Sequence, residues 1–195
     1  ALTGERLAQG VISGSELTSQ QIDLAVDRLT EKARALLAYR FGTKPEAIKM
    51  PIVDKNSIDR AKSVLSKTPG RWLLRLTALS NAVEGEPVMA ELEIYNTKRI
   101  FASGDLLAEK TVNKGSSREE AEEMLFLALR DINLKAAREG VLRDPLSGNV
   151  GSIDTAEFMQ VVENVTDAKS DVRLRIYAAG DIYTEGPVKI RFELK

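Results

Sequence analysis

The sequence predicts an α+β protein made by tandem duplication of one strand–helix–link–helix–strand–strand unit. The two copies, 1–97 and 98–195, are expected to pack with pseudo-twofold symmetry as one compact body. Three observations predict it. First, segments 71–95 and 171–195 align without gaps: Leu74, Arg75, Ala78, Pro87, Val88 and Glu93 meet Leu174, Arg175, Ala178, Pro187, Val188 and Glu193. That exceeds the roughly one or two identities expected from average residue usage. Second, Thr18 and Gln21 have capping-box spacing ahead of an apolar stripe, and Ser117 and Glu120 repeat it. Third, Gly4-Glu5-Arg6-Leu7-Ala8 returns as Gly104-Asp105-Leu106-Leu107-Ala108.

The first copy opens with a short strand over 6–12, ending near Gly14. Behind the Thr18 cap, Ile22, Ala25, Val26, Leu29, Ala33, Leu36 and Leu37 mark the core-facing stripe of a helix. Gly42 stands where a left-handed residue would end it. Segment 48–53 is apolar but holds Pro51, which lacks a ladder donor, so an edge strand or extended link is expected. A shorter helix over 57–66 turns Ile58, Ala61, Val64 and Leu65 inward, and Thr68-Pro69-Gly70 stops it. In the hairpin that follows, Trp72, Leu74, Leu76 and Ala78 alternate with Arg71, Leu73, Arg75 and Thr77. Val88, Ala90, Leu92 and Ile94 alternate with Met89, Glu91 and Glu93 on the return strand. Period two implies one buried and one wet face, with Arg75 facing Glu91 or Glu93 across the wet one.

The second copy starts in a long strand-like run over 99–112, bent at Gly104. Its helix stripe is Ala121, Met124, Leu125, Ala128 and Ile132, and Phe126, Leu127 and Leu134 are expected to widen it and bury this helix more deeply. Ala136 to Gly140 repeats the helix end at Gly42. Ser152-Ile153-Asp154 echoes Ser57-Ile58-Asp59 before a helix carrying Phe158, Met159, Val162 and Val165, then the final hairpin. A lone copy would cover its sheet poorly. A shared core is therefore expected, with the 88–94 strand passing directly into the 99–112 strand to join the sheets.

Composition bounds the chemistry. At 195 residues, 43% hydrophobic and 29% charged, the chain has ordinary soluble proportions and enough length for a core. A net charge of −1 and a pI near 5.8 argue against a dedicated nucleic-acid binder. The absence of Cys and His removes disulfides, thiolate nucleophiles and the commonest general base and metal ligand. No apolar run reaches the roughly 18 residues of a membrane span, and no signal peptide is visible. Ala1 stands without a preceding Met, as if cut from something longer.

Residues with a chemical reading also have a plainer one. Glu5 and Asp105 recur at one place, as the strand-borne acid of a ribonuclease H-type Mg²⁺ site would. Such a site needs converging carboxylates, whereas Asp54, Asp59, Asp144 and Asp154 are scattered in loops and helix starts; Asp59 and Asp154 read as acids at the positive ends of helices. The loop Gly148-Asn149-Val150-Gly151-Ser152 precedes a helix and offers amides to an anion, but it lacks the lysine of a phosphate loop. Arg75 and Arg175 would pair around an anion only if the twofold axis joined them; as cross-strand partners of glutamates they need none. Tyr39, Tyr95, Tyr177 and Tyr183 are too scattered for a base-stacking platform.

Three stretches together resemble a bacterial family, the domain of unknown function 3084. They are the Gly-acid-x-Leu-Ala motif at Gly4 and Gly104, the run from Gly140 to Gly151, and the run Ala179-Gly180-Asp181-Ile182-Tyr183-Thr184-Glu185-Gly186-Pro187-Val188. The resemblance covers nearly the whole chain. It implies the C-terminal globular part of a membrane-anchored coiled-coil protein of the cell envelope, with anchor and coiled coil upstream, and it implies no activity for any residue. The expected function is a non-enzymatic interaction or scaffolding module with a protein partner or self-association. No catalytic residue, metal or cofactor is assigned, nucleic acid is not expected, and the membrane is reached only through upstream sequence. The alternatives are a Mg²⁺-dependent nuclease or phosphoryl-transfer enzyme using Glu5 and Asp105, and a small-ligand sensor.

Overall fold

The computed structural model describes all 195 residues, Ala1–Lys195. Gly4, at φ +79°, turns the chain so that its N–H reaches Ala78 O at 2.8 Å, and strand β1 (Arg6–Gly14) follows. The capping box then starts helix α1 (Ser19–Phe41): Gln21 N–H donates to Thr18 Oγ1, and Thr18 N–H donates to Gln21 Oε1. The stripe Ile22, Val26, Leu29, Ala33 and Leu37 is buried, and Gly42 ends the helix in the left-handed region. Residues Pro45–Ala47 form one 3₁₀ turn. Past Pro51 comes β2 (Ile52–Val53), then helix α2 (Lys55–Leu65), capped by Asp54. Strands β3 (Gly70–Ala78) and β4 (Met89–Asn96) form the hairpin, giving the sheet order β1-β3-β4-β2 with β2 parallel to β4.

The second unit differs at its start. The 99–112 run is broken into β5 (Arg99–Phe101) and β6 (Leu106–Val112) by the Gly104-Asp105 turn. Helices α3 (Arg118–Glu139) and α4 (Thr155–Thr166) follow, then β7 (Val172–Ala178), β8 (Ile182–Tyr183) and β9 (Ile190–Leu194). The sheet order is β6-β7-β9, and β5 pairs with β8 in a small separate sheet. The one long strand expected over 99–112 to join the sheets is thus corrected to two strands, and the bend expected at Gly104 is a full turn. Gly104 takes φ +88° and its N–H is spent on Ala178 O, so the chain turns instead of running on.

The molecule has both helices and sheets and is of the α+β class. It divides into Ala1–Thr97 with Pro145–Ser147, and Lys98–Asp144 with Gly148–Lys195. Each unit buries its own apolar cluster: Ile22, Leu37, Leu65, Leu74 and Leu76 in the first, Leu125, Phe158, Val162, Leu174 and Ile176 in the second. Against expectation, each copy therefore covers its own sheet. One sheet face and two helices suffice to exclude water from the larger side chains.

The two frames correspond one hundred residues apart. Gln9 opposes Arg75 and Glu109 opposes Arg175; Arg75 opposes Glu93 and Arg175 opposes Glu193. Register shifts fall at Arg6/Ala8 and at Leu106/Ala108. Asp54 and Asp154 both cap the shorter helices. The Ser57/Ser152 echo is consequently misaligned, because Ser57 lies inside α2 and Ser152 precedes α4. Asp59 likewise stands inside α2, and the acid at that helix's positive end is Asp54. No helix is long and apolar enough to cross a membrane.

Candidate functional site

The repeated acids close turns. Glu5 Oε2 accepts the Leu2 N–H at 2.8 Å, and Asp105 Oδ2 accepts the Ala102 N–H at 2.8 Å. Glu5 is buried and ion-paired with Arg40, whereas Asp105 is exposed. Asp54 and Asp154 are spent on helix amides. No three carboxylates converge where a cation would sit. The 148–152 loop is pinned to its own surroundings: Gly148 N–H donates to Asp144 O, Val150 N–H to Asn133 Oδ1, and Asn133 Nδ2 to Asn149 Oδ1. Two of its amides are therefore not free for an anion.

The two arginines diverge. Arg175 Nε donates to Glu109 Oε2 at 2.7 Å on a half-wet face, and that bond to the carboxylate raises its pKa. Arg75 is 3% exposed, and its Nε and Nη2 have no partner. The expected wet face of the first hairpin is thus corrected: Leu73 and Arg75 are both buried there. The glutamate that holds Arg175 is replaced by Gln9, so Arg75 keeps only Glu93 opposite and the Tyr95 ring, 5.3 Å from its guanidinium carbon. Tyr95 is held above its ordinary pKa by burial first and by Glu93 second.

The distinctive surface lies in the second unit, along β9. In an antiparallel ladder, N–H and C=O groups alternate between the two sides of a strand. Arg173 and Lys195 exchange both bonds, and Ala179 N–H donates to Lys189 O. Residues 191 and 193 therefore bond toward β7, and Ile190, Phe192 and Leu194 aim their amides and carbonyls outward. No strand lies beyond them. The corresponding edge of the first unit is closed. Ile52 N–H donates to Val88 O and Asp54 N–H to Ala90 O, both at 2.8 Å, and Leu92 N–H donates to the buried Ser57 Oγ at 3.0 Å. In the second unit, one bond survives near this place, from Val188 N–H to Val150 O at 2.9 Å. The residue matching Ser57 is Glu157, one turn into α4.

A groove of about 400 Å³ adjoins this edge, lined by Phe126, Leu129, Ile153 and Ile190 with Arg130 and Asn133 at its polar side. Phe126 is 61% exposed and packs against Phe158 with centroids 4.7 Å apart. The expectation that Phe126, Leu127 and Leu134 bury α3 is corrected. They fall off the stripe of Ala121, Leu125, Ala128, Ile132 and Ala136 and stay exposed. Gly151 lets the loop approach: a Cβ there would lie 2.5 Å from Val188 O. On the opposite face of β9, Glu193 is held below the usual carboxylate range by the Tyr177 hydroxyl first, then by Lys195 and Arg175. Sequence reasoning missed the edge because its signal is a lost partner, legible only once Ser57 and Glu157 are aligned.

No curated protein and no solved structure matches the chain. Residues 101–194, which cover β6 to β9 with α3 and α4, match the family described as the DUF3084-associated C-terminal helical hairpin. The hairpin of that description fits α3 and α4, which pack on each other through Phe126 and Phe158. The match, confined to this second unit, supports assignment to the DUF3084 family.

Proposed function

We propose that this chain is a non-catalytic interaction module, derived by tandem duplication, whose second unit has opened an edge that the first keeps closed. The observation that carries the reading is the row of outward backbone groups at Ile190, Phe192 and Leu194 beside an apolar groove. Main-chain groups on an open edge supply hydrogen bonds to an extended segment, and adjoining pockets sort its side chains. The matching β4 edge, filled by Ile52 and Ser57, supports a strand as the shape that fits. The polar clusters weighed for chemistry are committed to turns and caps, which supports a binding role over a catalytic one.

A photo-crosslinking residue at Phe126 or Ile153, introduced in the producing cell, tests this. Covalent adducts from both positions are expected, and none from the exposed Tyr39 of the first unit. Silence at both groove positions would refute the interaction reading.

A further inference from the structure

We infer that the occupant of the β9 edge is β9 of a second copy of this chain, paired antiparallel about Phe192. The inference rests on the interaction reading above and names its partner. Three registers bring the strand's centre onto its own copy: about Arg191, Phe192 or Glu193. Centring on Arg191 or on Glu193 sets that residue against itself, placing like charges directly opposite, which destabilises a sheet. Centring on Phe192 sets Ile190 against Leu194 twice, Phe192 against Phe192, and Arg191 against Glu193 twice. In that register the opposed residues 190, 192 and 194 are the ones whose amides and carbonyls face outward, so each pair can exchange both ladder bonds.

The faces agree as well. Ile190, Phe192 and Leu194 already pack on the second core, so pairing continues one apolar layer across the join. Arg191 is exposed and Glu193 half-exposed on the opposite face, where opposite charges meet without deep burial. Lys189 meets Lys195 at the two ends of the join; both are exposed, which leaves room for them to splay. The competing edges are less suited. β1 and β6 each carry a register shift, the bulge that bends an edge away from flat pairing, whereas β9 pairs with β7 without one.

Sedimentation of the whole chain from about 1 μM to 1 mM, the affinity window of weak to moderate association, tests the inference. The wild type should dimerise. Arg191→Glu alone and Glu193→Arg alone should each weaken the dimer by about tenfold or more, because every opposed pair becomes like-charged. An equimolar mixture of the two variants should dimerise again, since one chain then offers two glutamates and the other two arginines; this recovery also shows both variants folded. Hydrogen exchange on the wild type gives a readout free of substitutions: protection at the amides of Ile190, Phe192 and Leu194 should rise with concentration.

A monomeric wild type with concentration-independent exchange at these amides overturns the inference. So do single variants that dimerise like the wild type, or a mixture that stays monomeric while both variants retain native spectra. If the chain is monomeric yet position 126 crosslinks to another protein, the second-copy inference falls and the interaction reading survives. If neither association nor adduct is seen, both fall.

Discussion

Arg75 and Arg175 hold one register position and meet different surroundings, because a single residue across the ladder differs. Glu109 neutralises Arg175, whereas Gln9 leaves Arg75 buried with two donor atoms unpartnered. An unsatisfied buried donor costs about 1–3 kcal/mol. Arg75→Met, which keeps the length and removes the donors, is expected to stabilise the chain by about 1–3 kcal/mol in urea unfolding. Arg175→Met should change little, its face being half-wet. Gly151 gives the opposite case. Its methyl would press on the Val188 carbonyl, a backbone atom that cannot step aside, so Gly151→Ala should cost about 1–3 kcal/mol by the same measurement. The identity of Arg75 and Arg175 was legible in the sequence, but their burial was not, since alternation marks two faces without saying what covers each.

At the scale of the element, the most local signals were the most legible. Both capping boxes and the left-handed glycines Gly42 and Gly140 stand where residue chemistry places them, because each is decided within one turn of chain. The first turn of α4 depends on Asp154, whose Oδ1 takes two amides, and Asp154→Ala should cost about 1 kcal/mol in thermal or urea unfolding. Asp181 ties β8 to the Gly104 turn through the Ser103 N–H at 2.9 Å and Arg99 at 3.4 Å. Those partners, the Ser103 amide foremost, lower its pKa. A carboxyl depressed on folding stabilises fully above its unfolded pKa, and the contribution is lost as pH falls through the lower folded value. An NMR titration should find Asp181 below the ordinary aspartate range, and Asp181→Asn should flatten the acid limb of stability. Where element boundaries depended on distant partners, the sequence misled. In the 99–112 run, Gly104 marked a bend, but that the bend is a full turn ending one strand depends on a bond to Ala178 far along the chain.

Over the whole molecule, the recurrence of one hydrogen-bond frame was readable from paired motifs, whereas the self-sufficiency of each core was not. Counting strands and helices in one copy underestimates what a nine-residue strand and helices of 23 and 11 residues can exclude. Ile176 is fully buried in the second cluster, so Ile176→Ala should cost about 2–5 kcal/mol, read as faster exchange at that unit's own core amides. The candidate site was the least legible part of all, because an open edge is a relation between two strands and a missing third.

Ser57 is a bolt: one buried hydroxyl that occupies the amide a docking strand would need. Drawing it, by Ser57→Ala, should leave the Leu92 amide of the first unit without its acceptor and cost about 1–3 kcal/mol in urea unfolding.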